Sequence, residues 1–353
     1  MRDESASTVV LTTSVPPVSG TTDSVVRRSD RVTDAEIEAI NAEASVLMKR
    51  GIAYLEETRR EAAIDAVHCF DDALELRRHV PADHSPFQGY LLAACLLNRA
   101  DALVRLNDRA PLAAALSSYD EAIDVLLPLP LDENPLYPRH LAMAYQNRGL
   151  ALIARGEDGD IGEAAGAFAD SIAVLDHEHS QGIDDRDRLR AVVWVNLANL
   201  RSLESSVDAH IAAHDAATHA LGYVADTEES DPAAADAGLR ARHVLCRLCA
   251  DRLSQAGDEA DIPEDVHEAT DAVDDGLSLV RSWEQRGLAL FRPLAFDLFR
   301  FGARVYARYQ PQFLEEFIDD NMNPARSSPE YVESPDMVMA ALEARQLVAR
   351  EDG

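Results

Sequence analysis

The chain has 353 residues, of which 63 are acidic and 33 are basic, so its formal charge at neutral pH is −30. A surface with this charge repels phosphate backbones and anionic lipids, which argues against nucleic acid and membranes as partners. Hydrophobic residues make up 47% of the chain but aromatic residues only 6%, so a core built mainly from Ala, Leu, Val and Ile is expected. That mixture favours helices.

The longest apolar run, residues 90–97, is too short to cross a bilayer, and the N-terminus has no signal-peptide core. The cysteines fall inside helical patterns and lack the loop-rich spacing of a small secreted disulfide scaffold. We therefore expect a cytoplasmic protein with reduced thiols. The four cysteines are Cys69, Cys95, Cys246 and Cys249.

The first ordered element is predicted to begin at Thr33. Residues 1–32 are rich in Ser, Thr and Val, contain a Pro-Pro pair and show no helical periodicity, so we interpret them as a disordered tail. The sequence from Thr33 to Glu36 then has the S/T-x-x-E form of a capping box, which is typical of a helix start.

Small residues recur along the chain at a constant step. They are 49 residues apart, at Gly51, Ala100, Gly149 and Ala198. Larger residues four positions earlier follow the same step, and so do three asparagines. Self-similarity of this kind indicates a repeat architecture in which each unit buries its apolar face against the next.

An aromatic residue flanked by small residues follows each of the first three small positions. The first copy reads Ala66, Phe70 and Ala73, and Tyr119 and Phe168 replace Phe70 in the next two copies. We interpret each unit as two antiparallel helices, in which the aromatic residue of the second fills the gap beside the small residue of the first.

Turn residues cluster where each helix pair should end. The predicted organisation is the tail, a repeat array at 33–320, and a loop with a C-terminal helix at 321–353. The fifth unit matches the pattern poorly, and the sixth is more aromatic and is interpreted as the terminal pair. The six units are expected at about 35–80, 84–128, 136–178, 186–226, 233–282 and 286–320.

The third copy, Tyr145 to Leu152 followed by Glu163, Ala164 and Phe168, resembles the tetratricopeptide repeat (TPR) family. The 49-residue period is longer than the roughly 34 residues of that family, because the inner turn, the helices and the connections are expected to be longer. The resemblance implies an all-α fold: an α-α superhelix, or solenoid, of about five to six helix pairs. It also implies that the first helices line a concave groove for a peptide or partner protein.

Ten side chains of the first helices would face such a groove if the resemblance is carried over through the small residues. Asparagine in three successive units would suit an extended peptide, because an amide both donates and accepts hydrogen bonds. The alternative is that asparagine is a habit of this helix type with no binding role. The ten are Lys49, Asn98, Asp101, Gln146, Asn147, Leu150, Asn196, Asn199, Arg247 and Arg300.

The pattern His243-x2-Cys246-x2-Cys249 is the most metal-like in the sequence, because imidazole and thiolates suit zinc. The same spacing is that of a buried helix stripe, and no second Cys or His pair lies nearby in the sequence. We interpret it as core packing.

Two histidine pairs offer weaker metal candidates. His210 and His214 share a helix face and His219 follows, but Ile211 stands where a zinc protease has its general-base glutamate. We interpret this pair as surface or groove histidines. The other pair, His177-Glu-His179, is interpreted as a solvated helix end. We therefore predict no metal and no cofactor.

Sequence motifs for nucleotide binding, acyl transfer and kinase chemistry are absent. The leading hypothesis is a non-enzymatic scaffold or adaptor that binds a peptide or partner protein in its groove. The alternative is a self-associating structural or regulatory module, a homo-oligomer built through the aromatic segment from Phe291 to Phe317. A metal-dependent enzyme, resting only on the histidines, is a third hypothesis.

Overall fold

The computed structural model describes residues 32–256, 263–288, 291–322 and 335–351. All regular structure in these ranges is helical, and neighbouring helices pack in succession, so the predicted all-α solenoid is confirmed. The predicted tail at 1–32 lies outside the described residues except for its last residue. Most of the loop predicted after residue 320 lies outside them too.

The chain divides into two compact units, residues 1–186 and 187–353. The N-terminal unit contains successive helix pairs, and its first helix starts with the predicted capping box. The Thr33 hydroxyl accepts from the Glu36 amide, and the Glu36 carboxylate accepts from the Thr33 amide. The helices are α1 (Asp34–Leu55), α2 (Arg60–Arg78), α3 (Pro86–Leu106), α4 (Arg109–Leu126), α5 (Leu136–Arg155) and α6 (Asp160–Asp176).

The C-terminal unit continues with paired helices and ends in a single one. Its elements are α7 (Arg186–Arg201), α8 (Val207–Val224), α9 (Pro232–Ala256), α10 (Pro263–Gln285), α11 (Arg292–Tyr309), α12 (Leu314–Met322) and α13 (Pro335–Glu351). The last helix packs against α11 and buries Ala340, Ala341 and Ala344 in the same core as Phe299. The helix expected at the C-terminus thus caps the core of this unit.

Glycines of the first helices lie directly against aromatic rings of the second helices. A Cβ added to Gly51 would lie 2.5 Å from Cε1 of Phe70, and one added to Gly149 would lie 2.6 Å from Cε1 of Phe168. Both rings are completely buried. The prediction that a small residue admits the aromatic residue of its own pair is confirmed at these two positions, and only glycine leaves the required space.

Ion pairs in the N-terminal unit recur with the same step as the small residues. Arg99 on α3 contacts Asp71 on α2 (Nε to Oδ1, 2.5 Å), and Arg148 on α5 contacts Asp120 on α4 (Nε to Oδ1, 2.7 Å). The two arginines are 49 residues apart, and so are the two aspartates. Each arginine therefore joins a first helix to the second helix of the preceding pair.

A second series of ion pairs lies at the helix starts. Arg60 contacts Asp108, and Arg109 contacts Glu157, again with a 49-residue step in both partners. Exposed pairs of this kind each contribute at most about 1 kcal/mol. Their recurrence nevertheless shows that neighbouring pairs meet in the same register.

Candidate binding surfaces

The predicted groove residues of the N-terminal unit lie on α1, α3 and α5, which follow one another as neighbours within that unit. They differ in accessibility. Lys49 is exposed, and Gln146 and Leu150 are partly exposed, whereas Asn98 and Asp101 are buried. The sequence pattern predicted that all of these side chains face the groove, but their accessibility in the structure differs.

Asn98 does not face an open groove, which corrects the prediction for this residue. Its side chain is 1% exposed, and its Nδ2 donates to the Ala94 carbonyl one turn earlier in α3, at 2.8 Å. Residues 89–103 of this helix are buried except for Arg99, because α3 has neighbouring helices on several sides. A guest could reach Asn98 only if those helices moved apart.

Asp101 is also an internal residue, contrary to the prediction. Its Oδ1 accepts from the Tyr119 hydroxyl at 2.5 Å and from Nδ2 of Asn147 at 3.1 Å, so one carboxylate joins α3, α4 and α5. Burial raises the pKa of Asp101 to about 6, although the two hydrogen bonds oppose the shift. Burial and this carboxylate together raise the pKa of the Tyr119 hydroxyl. Asn147 therefore takes part in holding α3, α4 and α5 together.

The predicted residues of the C-terminal unit also divide into committed and accessible ones. Arg247 on α9 donates to the Ser202 hydroxyl and to Oδ1 of Asn199 on α7, the latter at 3.4 Å, so it joins these two first helices. Asn196 is partly exposed. Arg300 is exposed, and its guanidinium lies 5.8 Å from the centre of the Phe296 ring.

Charge is divided between first and second helices most clearly in the third pair. Helix α5 carries three arginines and no acidic residue, whereas α6 carries four acidic residues and no basic one. Arg148 on α5 and Asp120 on α4 show how the two kinds of helix attract one another. The surplus negative charge therefore lies mainly on the second helices.

The cysteine stripe on α9 is core packing, as predicted. Cys246 and Cys249 are buried and reduced. Burial raises the pKa of the Cys246 thiol far above its ordinary value. Over the described ranges, no group of three or more His, Cys, Asp or Glu side chains is arranged to hold a metal ion.

His214 is paired with a carboxylate from another helix and not with His210. Its Nε2 contacts Oε1 of Glu268 on α10, and Nη2 of Arg252 lies 3.0 Å from the other oxygen of the same carboxylate. The hydrogen bond to Glu268 raises the pKa of His214, and the same bond lowers the pKa of Glu268. The two residues are 54 positions apart, so no sequence pattern connects them.

This pair predicts a pH-dependent contribution to stability. Because the native pKa of His214 is raised, its stabilisation is complete below the ordinary value of about 6.5 and is lost as the pH rises through the native pKa. His214→Gln should reduce the fall in melting temperature between pH 6 and pH 8, an effect of less than about 1 kcal/mol. His68→Gln, at an exposed position on α2, is the control. An unchanged pH profile for His214→Gln would contradict the assignment.

Three more of the histidines considered above as metal candidates make ring contacts. The His177 and His179 rings stack with centroids 4.1 Å apart, and burial and the neighbouring ring lower the pKa of His179. His177 is exposed, as predicted for a solvated helix end, but His179 is partly buried. His219 stacks on Trp194 at 4.8 Å.

Comparison with known proteins gave no match, either to a protein-family model or to a curated protein. Among the helices described, none combines the length and hydrophobicity that crossing a membrane requires.

Proposed function

We propose that this chain is a non-enzymatic, TPR-like scaffold or adaptor that holds a peptide or partner protein on the first-helix side of its N-terminal unit. The observation that carries the proposal is the accessibility of three predicted groove residues, since Lys49 on α1 is exposed and Gln146 and Leu150 on α5 are partly exposed. These side chains stand on helices whose packing is fixed by buried glycine–aromatic contacts.

Helix geometry supports a binding role for this side of the first helices. Lys49 precedes Gly51 by two residues, which places it about 160° around the helix from the glycine that faces Phe70. It therefore points away from the second helix of its own pair. Rigid elements that present side chains outward hold a binding site with little loss of conformational entropy.

The chemistry of these three side chains suits an extended peptide. The Gln146 amide can donate to and accept from one peptide group, Leu150 offers an apolar contact, and Lys49 supplies a positive charge. Asn98 and Asp101 are buried and do not belong to the proposed binding surface. Asn147 is retained with a second role, since it also donates to Asp101.

Self-association through the aromatic C-terminal segment is not proposed. Phe291, Phe299 and Phe317 are buried in the core of the C-terminal unit, where α13 also packs. Most of the aromatic surface of this segment is therefore buried within its own unit.

The test is capture of partners by the full chain and two matched variants. We expect partners that copurify with the wild type to be lost from Lys49→Ala/Gln146→Ala/Leu150→Ala. They should be retained by Asp124→Ala/Asp170→Ala/Leu127→Ala, which changes exposed residues at the second helices. Circular dichroism should show equal helical content in all three. Retention of every partner by the first variant would refute the proposed surface.

A further inference from the structure

Helix α1 has an open face at the position where α3 and α5 each pack against the second helix of the preceding pair. Helix α3 contacts α2 as well as α4, and α5 contacts α4 as well as α6. Helix α1 contacts α2 of its own pair, and within the residues described no helix pair precedes it. The face that the later first helices use for packing is therefore uncovered on α1.

The exposure of equivalent positions locates this face. Val46 is 67% exposed, whereas Cys95 and Ala144, which follow it at the 49-residue step on α3 and α5, are 0% exposed. The Cys95 sulfur lies 3.3 Å from Sδ of Met48 on α1, so this position of α3 points toward the preceding pair. Val46 points in the equivalent direction, where α1 has no neighbour.

Two more positions extend the open face on either side of Val46. Ala42 and Ala53 are exposed, and their spacings of four and seven residues from Val46 place all three on one side of the helix. The side chains at the same positions of α3 and α5 are buried, namely Leu91, His140, Ala102 and Ala151. We call the face formed by Ala42, Val46 and Ala53, with Glu43 and Arg50 at its edge, the α1 end face.

Arg50 belongs to the arginines that recur at the 49-residue step and join neighbouring pairs. Arg99 and Arg148 each contact an aspartate of the preceding second helix. Arg50 is exposed, and its Nη2 donates to the Tyr54 hydroxyl of its own helix at 3.2 Å. It makes no ion pair in the described part of the chain. The α1 end face thus carries the cation of this contact without the acidic partner.

A carboxylate that could serve Arg50 lies on the same face. Glu43 is exposed, whereas Leu92 and Leu141 at the same position of α3 and α5 are buried, so an acid replaces leucine on the uncovered helix. Among the described residues, Glu43 has no ion-pair partner either. Glu43 and Arg50 are seven residues apart, about 10 Å along the helix. Two such helices running antiparallel about a two-fold axis near Val46 place each Glu43 opposite the Arg50 of the other copy.

We infer that the α1 end face binds the same face of a second copy of this chain, as a two-fold symmetric dimer. A two-fold interface requires a self-complementary surface, and this face supplies both members of its charge pair. The alanines let the two helices approach closely, and each copy then buries Val46. The charge of −30 on each copy opposes association in general, so the local charge pairs select the partner and the register.

The dimer is separate from the proposed peptide surface. Gln146 and Leu150 of that surface lie on α5, outside the α1 end face. Either proposal can therefore fail without the other.

The test is the mass of the full chain in sedimentation experiments over a range of concentrations. The salt concentration is about 0.15 M, at which repulsion between copies is screened beyond about 8 Å. The wild type should approach twice the mass of one chain. Arg50→Glu and Glu43→Arg each bring like charges together and should weaken the dimer about tenfold or more. An equal mixture of the two variants should dimerise again, because each supplies the charge that the other needs.

Two further variants separate this contact from general effects of charge and folding. Arg304→Glu makes the same charge reversal at an exposed position on α11 and should change the dimer affinity less than about twofold. Val46→Asp should abolish the dimer, because it buries a carboxylate at the centre of the interface. Circular dichroism should show equal helical content in all variants, since the changed side chains are exposed in the single chain.

Three outcomes would overturn the inference. A wild type that remains monomeric at every concentration would leave the face to a helix of another protein. A dimer that survives both single charge reversals would place the interface elsewhere on the chain. A mixture of Arg50→Glu and Glu43→Arg that remains monomeric would show that these two side chains do not face each other.

Discussion

Replacing Phe168 by alanine is expected to lower the free energy of unfolding of the N-terminal unit by about 3–5 kcal/mol. The ring is completely buried on α6 and lies in the space left by Gly149 on α5. Its removal leaves a cavity that the backbone of α5 cannot fill without moving. The measurement is urea unfolding followed by circular dichroism, since both tryptophans, Trp194 and Trp283, lie in the C-terminal unit.

The same contact predicts that one substitution has opposite effects in two backgrounds. In the wild type, Gly149→Ala places a Cβ 2.6 Å from the Phe168 ring and should destabilise the unit by about 1–3 kcal/mol. In Phe168→Ala the ring is absent, so the added methyl should stabilise α5 by up to about 1 kcal/mol.

Gly166→Ala on α6 is the matched control, because a Cβ there meets no atom within 4 Å. It should stabilise the protein slightly in either background. If Gly149→Ala were equally destabilising with and without the ring, the glycine would not serve to admit it.

Asp101→Asn should raise stability near neutral pH and remove a pH dependence. The native pKa of Asp101 is about 6 and its ordinary value is 3.8, so the folded protein holds this proton more tightly than the unfolded chain. The stability therefore falls as the pH rises from about 4 to about 6 and is constant above that range. The asparagine variant should gain about 1–3 kcal/mol at pH 7 and show a flatter profile in this window.

Both hydrogen bonds to Asp101 can survive this substitution. Tyr119 and Asn147 donate to the same oxygen, and the amide oxygen of an asparagine can take its place. Unfolding free energies at pH 4 and pH 7 provide the measurement, with exposed Asp124→Asn as the control. A loss of stability at pH 7 in Asp101→Asn would show that the negative charge itself holds the three helices.

The packing between the two helices of a pair was predictable from sequence, whereas accessibility of the first helices was not. Gly51 and Phe70 could be paired because both recur with a constant step and because a small residue beside an aromatic one is visible in the sequence. Asn98, Asn147 and Asn196 recur with the same 49-residue step, yet Asn98 bonds to its own helix and Asn147 bonds to a carboxylate. Periodicity indicates the face of a helix, but the distance to the next helix decides whether that face is open.

The polar contacts between helices were missed for a related reason. Arg99 and Arg148 follow the 49-residue step visibly, but their partners lie 28 residues away on another helix. A separation of 28 residues indicates a contact only when the spacing of neighbouring helix pairs is known. The contact between His214 and Glu268 could not be predicted at all, because neither residue recurs at the 49-residue step.

The recurrence of Arg99–Asp71 and Arg148–Asp120 at one step has a consequence for how such a chain can grow. A 49-residue segment presents on one side the complement of the charge that it presents on the other, through its arginine and its aspartate. Gene duplication or deletion of a whole segment would therefore join surfaces that already match, so the length of the molecule can change without any new interface being invented.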